Sequence, residues 1–375
     1  MEYLVGFFVA IIAPLIFIVA IYQFDFYQTG QFRTVLVSLI LGGIAYAPSS
    51  SINRILTASG LTDKITLEYF IAPVHEELFK GLLLIYLVSR SHLIYSVDGV
   101  LYGFAIGVGF AIFENFEELL QGQLAIGIVS RVFSTNLVHA FSSATVGIAF
   151  GISRLKESRL RWWIPVAGFF LAIGQHMLYN IIIHTIYSMG MEINPVVTFL
   201  PGLVGGIFVY VVMIHGKNQA RNWIKEKLGM DDRVTRSEVA AIDRFAGTDD
   251  IMLPIVERFG VEKAKQVEKL LYLQARIGIK KKFLDNVRNN RTPQNAIESE
   301  INEMRTKMEQ IRRSIGTYAM LFVRGLFTEE MVSVWERVQV KIQERSAGRV
   351  GQIGGGLWSS LEGRIKSPTE NEGVD

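Results

Sequence analysis

Apolar residues run in seven long blocks over the first 215 positions, near 3–22, 34–48, 68–89, 98–119, 130–152, 162–187 and 196–214. A bilayer core takes about 20 apolar residues per helix, so this pattern predicts an all-α, polytopic membrane bundle of about seven spans. The second block is the shortest, because Pro48 and the serines after it interrupt the run. The first has no basic flank and no small-residue cleavage signal before "QFDFYQ", and is read as a retained span, not a signal peptide. After residue 215 the period changes. Ile297, Ile301, Met304, Met308, Ile311, Ile315, Tyr318 and Phe322 recur at alternating spacings of four and three, the seam of a helical hairpin or short coiled coil.

Charge sharpens this division. Residues 1–214 hold 10 Lys/Arg and 12 Asp/Glu, and the remainder holds 28 and 23. The expected domains are therefore a membrane domain at 1–215, a soluble helical domain at 216–350 with its seam at 297–322, and a flexible tail at 351–375 that begins in "GQIGGG". The basic stretch "IKKKFLDNVRNNR" is read as a solvated helix end, and no nucleic acid is expected as a partner. An intramolecular bundle is the preferred use of the seam, with a homodimer through these helices as the alternative. The chain has no cysteine, which excludes disulfides, thiol nucleophiles and thiolate metal sites. One alternate set of loops carries Arg33, Arg90, Arg154, Lys156, Arg159, Arg161 and Lys217; the other carries only Arg54, Lys64 and Arg131. The positive-inside rule then places the N-terminus outside and the C-terminal domain in the cytoplasm.

Inside the spans, small residues four apart (Gly103 with Gly107, Ala105 with Gly109, Gly147 with Gly151) predict close packing of the fourth and fifth spans. Polar residues inside a membrane are costly and need a reason. They form four groups: "HEELFK" with Glu76, Glu77 and Lys80; "FENF" with Glu114 and Asn115; "NLVHAF" with His139; and "GQHMLYN" with His176 and Asn180. Under the alternating topology all four fall at a similar depth near the outer face, so they are expected to share one wet cavity. Glu76 and Lys80, four apart, are in register for an ion pair, with Glu77 about 100° away. His176 and Asn180, also four apart, face one spot. A carboxylate and His139 to activate water, with His and Asn donors for an oxyanion, is the equipment of a hydrolase. "HEELF" begins like the zinc-protease HExxH, but Phe79 occupies its last position. Glu76, His139 and His176 could still hold a divalent metal such as zinc with one position open for water. His92, His184 and His215 are read as loop or packing residues.

The order "EELFK", "VDGVLYGFAIGVGFAIFENF", a His in the fifth span, and "HMLYN" resembles the PrsW intramembrane proteases, relatives of the CAAX prenyl endopeptidases and bacteriocin-processing enzymes. The likeness covers about residues 65–215. It implies an endopeptidase of the plasma membrane of a prokaryote that cleaves a membrane-associated protein. Glu76 would be the general base with Glu77 supporting, His139 would help activate the water, and His176 and Asn180 would hold the oxyanion, with Lys80, Glu114 and Asn115 in support. The glutamate-type reading, with no cofactor, is preferred to the metal-dependent one. His75 is no part of the motif, and the soluble domain, read as a regulatory or substrate-recruiting module, lies outside the resemblance. A proton- or cation-coupled transporter using the Glu/His groups as a relay is the rival, but it predicts repeated halves that this sequence lacks. An inactive scaffold is disfavoured because every chemical group is present.

Overall fold

A computed structural model describes residues 2–89, 93–156, 158–188, 195–245, 252–287 and 294–326; Arg90, His92, positions 327–350 of the expected helical domain and the expected tail fall outside them. The described residues are helical without strands. In the membrane domain, α1 (Glu2–Gln23) and α2 (Phe32–Ser59) precede a single turn α3 (Lys64–Thr66), a π-helical turn (Leu67–Ile71) and α4 (Ala72–Ser89). Next come α5 (Ser96–Leu120), the short α6 (Ala125–Phe133), α7 (Thr135–Arg154), α8 (Trp163–Ser188) and α9 (Pro195–Lys227).

Six stretches are long and apolar enough to cross a bilayer: Leu4–Gln23, Phe32–Ser59, Ser96–Leu120, Ala125–Arg154, Arg159–Ile186 and Phe199–Lys227. The third expected span is not among them, since Glu76, Glu77 and Lys80 fall in any window of spanning length along it. It is a helix nonetheless, and α4 packs against α2, α7 and α8, with Glu77 and Lys80 fully buried. The second span also differs from expectation: α2 runs through Pro48 to Ser59. Proline costs one backbone bond, which a membrane helix tolerates where neighbours satisfy the freed groups. The serines that follow are absorbed too. Ser51 donates to the Ala47 carbonyl (2.8 Å), and Ser50 to Glu117 (2.7 Å).

The expected contact of the fourth and fifth spans is the centre of the bundle. A β-carbon on Gly99, Gly103 or Gly107 of α5 would meet the carbonyl oxygen of Gly147, Ser143 or His139 of α7 at 2.1, 2.4 and 2.2 Å. These three glycines let two helix backbones touch, which fixes the height of His139. Gly109 faces the other way, against the Leu39 carbonyl of α2.

In the C-terminal domain, α10 (Arg236–Phe245), α11 (Leu253–Phe259), α12 (Val261–Val287), α13 (Gln294–Ile315) and α14 (Thr317–Leu326) form a bundle on the extension of α9. The seam packs within the chain: Ile297, Ile301, Met304, Met308 and Ile315 are buried, chiefly against α12. It stops at Gly316, whose φ of +87° ends α13, so Tyr318 is turned outward at 63% exposure. The basic stretch is not simply solvated. Lys281 binds Asp232 (2.7 Å), Lys282 binds Glu226 (2.8 Å), and Lys280 is buried against Glu300. The bundle docks on one end of the membrane domain, with Trp223 against Tyr95 and Phe283 under Arg154.

Candidate active site

The polar groups of α4, α5, α7 and α8 meet at the opposite end. Helices alternate in direction, so the N-terminal halves of α4 and α7 and the C-terminal halves of α2, α5 and α8 share one level. There they line a cavity of about 1180 Å³ that includes Glu76, Glu114, His139, His176 and Asn180.

Each side chain is held by a specific neighbour. Lys80 Nζ donates to Glu77 Oε1 (2.6 Å) and to His139 Nδ1 (3.1 Å). The same Glu77 oxygen accepts from Ser142 Oγ at 2.8 Å and His176 Nδ1 at 3.0 Å. On the far side of His139, Nε2 lies 2.9 Å from Glu114 Oε2, and Glu114 Oε1 lies 2.9 Å from Arg131 Nη2. Arg131 Nε donates to Asn115 Oδ1 (3.2 Å). The two imidazoles meet edge to face, centroids 4.7 Å apart.

The expected Glu76–Lys80 pair is therefore not formed. Positions three and four back on a helix are both within reach, and Lys80 takes Glu77. As a result Glu77 has Lys80, Glu114 has Arg131, and Glu76 has no cationic lysine or arginine among the described residues. The nearest imidazole nitrogen is His176 Nε2, 3.9 Å from Glu76 Oε2. Asn180 reaches the cavity, but its amide is engaged, donating to the Glu68 carbonyl in the π-helical turn at 2.8 Å. His75 stays outside the cluster, between Ser49 (3.0 Å) and Asn53 (3.1 Å) of α2. His184 meets Tyr69 edge to face at the cavity wall.

Ligand atoms of Glu76, His139 and His176 lie within 4.8 Å of one another. Two imidazoles and a carboxylate are a suitable donor set for zinc, and Glu77 behind His176 supplies the outer carboxylate such sites use. Hydrogen bonding adds a condition. An ammonium can only donate, so Lys80 requires the lone pair of His139 Nδ1 and leaves the proton on Nε2. Loading a cation on Nε2 would expel that proton, as ligand deprotonation generally requires.

Arg131 and Ser142 were not legible as site residues. Arg131 reads as an outer-loop charge, because α6 is too short to register as a span; the clue was the amphipathic "AIGIVSRVF", with Ile128 and Val132 four apart and fully buried.

A helical membrane bundle with a cavity lined by carboxylates and imidazoles at one end fits an intramembrane protease. Residues 30–214 match the family described as "PrsW family intramembrane metalloprotease". The Protease PrsW of Geobacillus kaustophilus (strain HTA426) is 25% identical over 161 residues, 42% of this chain and 71% of the relative. That of Halalkalibacterium halodurans is 25% identical over 152 residues, 40% and 69% of the two chains. No solved structure matches. The membrane domain of this chain belongs to the PrsW family of intramembrane proteases.

Proposed function

We propose that the chain hydrolyses a peptide bond of a membrane-anchored protein near the non-cytoplasmic face, with Glu76 as the base that activates water. One observation carries this reading: of three carboxylates at the site, Glu76 is the one without Lys or Arg beside it. An unpaired carboxylate is costly in a membrane and is kept where a function uses it. Water held between Glu76 Oε2 and His176 Nε2 attacks the carbonyl carbon and passes its proton to Glu76. The oxyanion is received by His139 Nε2–H, shared with Glu114 Oε2, and by the Asn180 amide, once Glu68 releases it. The C–N bond then breaks, and Glu76 returns the proton to the leaving amine. Because His176 Nδ1–H donates to Glu77 and leaves the Nε2 lone pair free, this scheme gives His176 to the water and His139 to the oxyanion, the reverse of the division that the resemblance implies. A divalent cation on Glu76, His139 and His176 would supply Lewis acidity to the same water.

The loop charges support a C-terminal domain in the cytoplasm and an outward-facing cavity, in the plasma membrane of a prokaryote. The C-terminal bundle fits a regulatory or recruiting module. A transporter relay is less favoured, as the site holds a complete set of hydrolytic groups. The test is purified protein in liposomes with a library of single-span peptides, comparing wild type with His176→Ala, with and without a chelator. Cleavage lost in His176→Ala but indifferent to chelation supports the glutamate mechanism; loss on chelation restored by zinc replaces it with the metal-dependent one.

A further inference from the structure

Arg131 stands apart from the rest of the site. It comes from α6, a short helix whose other face is anchored by Ile128 and Val132 against Ala10 of α1 and Leu119 of α5. The guanidinium is turned inward, with a side-chain exposure of 18%. All three of its nitrogens face acceptors: Nη2 is 2.9 Å from Glu114 Oε1, Nη1 is 3.7 Å from Glu118 Oε1, and Nε donates to Asn115 Oδ1 at 3.2 Å. Among the described residues only Nε–H makes a hydrogen bond; Nη1 and Nη2 meet Glu118 and Glu114 as ion-pair contacts, so the guanidinium is directed at three side chains of α5. What Arg131 does hold is the carboxylate that faces His139 Nε2. Glu114 without its cation would be a second unpaired carboxylate beside Glu76, free to swing and to take His139 with it.

We propose that Arg131 is a positioning residue for the reaction, acting through Glu114 to fix the imidazole of His139, so that α6 completes the active site. This rests on the reading of the site as hydrolytic. Its planar fork matters, since lysine is a point charge that cannot hold Glu114 and Asn115 together. The idea separates from a merely structural role because it predicts where the effect appears and what abolishes it.

The experiment is a double-mutant cycle of Arg131→Gln and Glu114→Gln in proteoliposomes, using the fastest-cleaved peptide of the single-span library, with Arg131→Lys alongside. Arg131→Gln should lower kcat about tenfold, as loss of outer-shell partners commonly does, and leave KM unchanged. In the Glu114→Gln background the same change should cost under about twofold, because neighbours that act through one another are not additive. Arg131→Lys should recover part of the loss. A full Arg131→Gln effect in both backgrounds, or an effect confined to KM, overturns the proposal. Where Arg131→Gln does not fold or Glu114→Gln leaves too little rate to read, Arg131→Lys decides: a kcat decrease at constant KM supports it, and an unchanged kcat overturns it. Glu76→Gln in the same preparation keeps the two readings apart. Cleavage surviving there sinks the role of Glu76, whereas an additive cycle beside an inactive Glu76→Gln sinks only that of Arg131.

Discussion

Two of the regions in which this molecule buries carboxylates treat them differently. In the C-terminal bundle Asp232 lies between Lys281 (2.7 Å) and Arg305 (2.6 Å), and Glu238 between Arg312 (3.2 Å) and Arg324 (3.5 Å). Each acid has two cations. Around the His139–His176 pair Glu77 has Lys80 and Glu114 has Arg131, and Glu76 is left with neither. The first arrangement ties α10, α12, α13 and α14 together. The second leaves one group under-satisfied where water can reach it, and unsatisfied groups of that kind persist where chemistry uses them.

The sharpest way to break the contrast is to remove a cation from the membrane site. Lys80→Met leaves Glu77 buried without its cation, which costs about 3–5 kcal/mol, and adding Glu77→Gln should recover much of it; thermal unfolding in nanodiscs reads both. Smaller, about 1–3 kcal/mol, is the expected cost of Gly107→Val, because a side chain there meets the His139 carbonyl of α7. Cleavage should fall with it, as the helix that carries His139 is pushed back. Glu76→Gln should go the other way. It removes a buried charge without a cation, so unfolding in nanodiscs should show a gain of about 1 kcal/mol, the pattern of a site that trades stability for activity. A loss as large as that of Lys80→Met would mean that Glu76 has a structural partner after all.

The smallest effect lies at the surface of the C-terminal domain. The Arg221 guanidinium hydrogen-bonded to Asp243, with Lys225 beside it, holds that carboxyl below its ordinary 3.8. A lowered folded value means that the contribution is present above the ordinary value and is lost as pH falls through the lowered one. Asp243→Asn should cost about 0.5 kcal/mol near neutral pH and less at pH 3, below the ordinary value of 3.8. Urea titrations at the two pH values measure it.

Much of the site was legible because lipid makes polar residues conspicuous. Glu76, Glu114, His139 and His176 each interrupt an apolar run, and alternating topology alone puts them at one depth. What remained hidden depended on coordinates. Lys80 is in register with both Glu76 and Glu77, and only packing against His139 decides between them. Pro48 marks an end in an isolated helix, but here neighbours absorb the lost bond. Asn180 faces the cavity as its spacing requires, yet the π-helical turn at Leu67–Ile71, invisible in the sequence, presents a carbonyl that takes its amide. Gly316 cuts a seam whose apolar spacing continues past it, so periodicity counted Tyr318 as inside.

The most direct test of the unpaired carboxylate is the single-turnover rate at which Glu76→Gln, reconstituted in liposomes, cleaves the fastest peptide of the single-span library. A loss of about a thousandfold relative to wild type, within the range for removal of a general base, is the predicted result. A rate within a few-fold of wild type would contradict it.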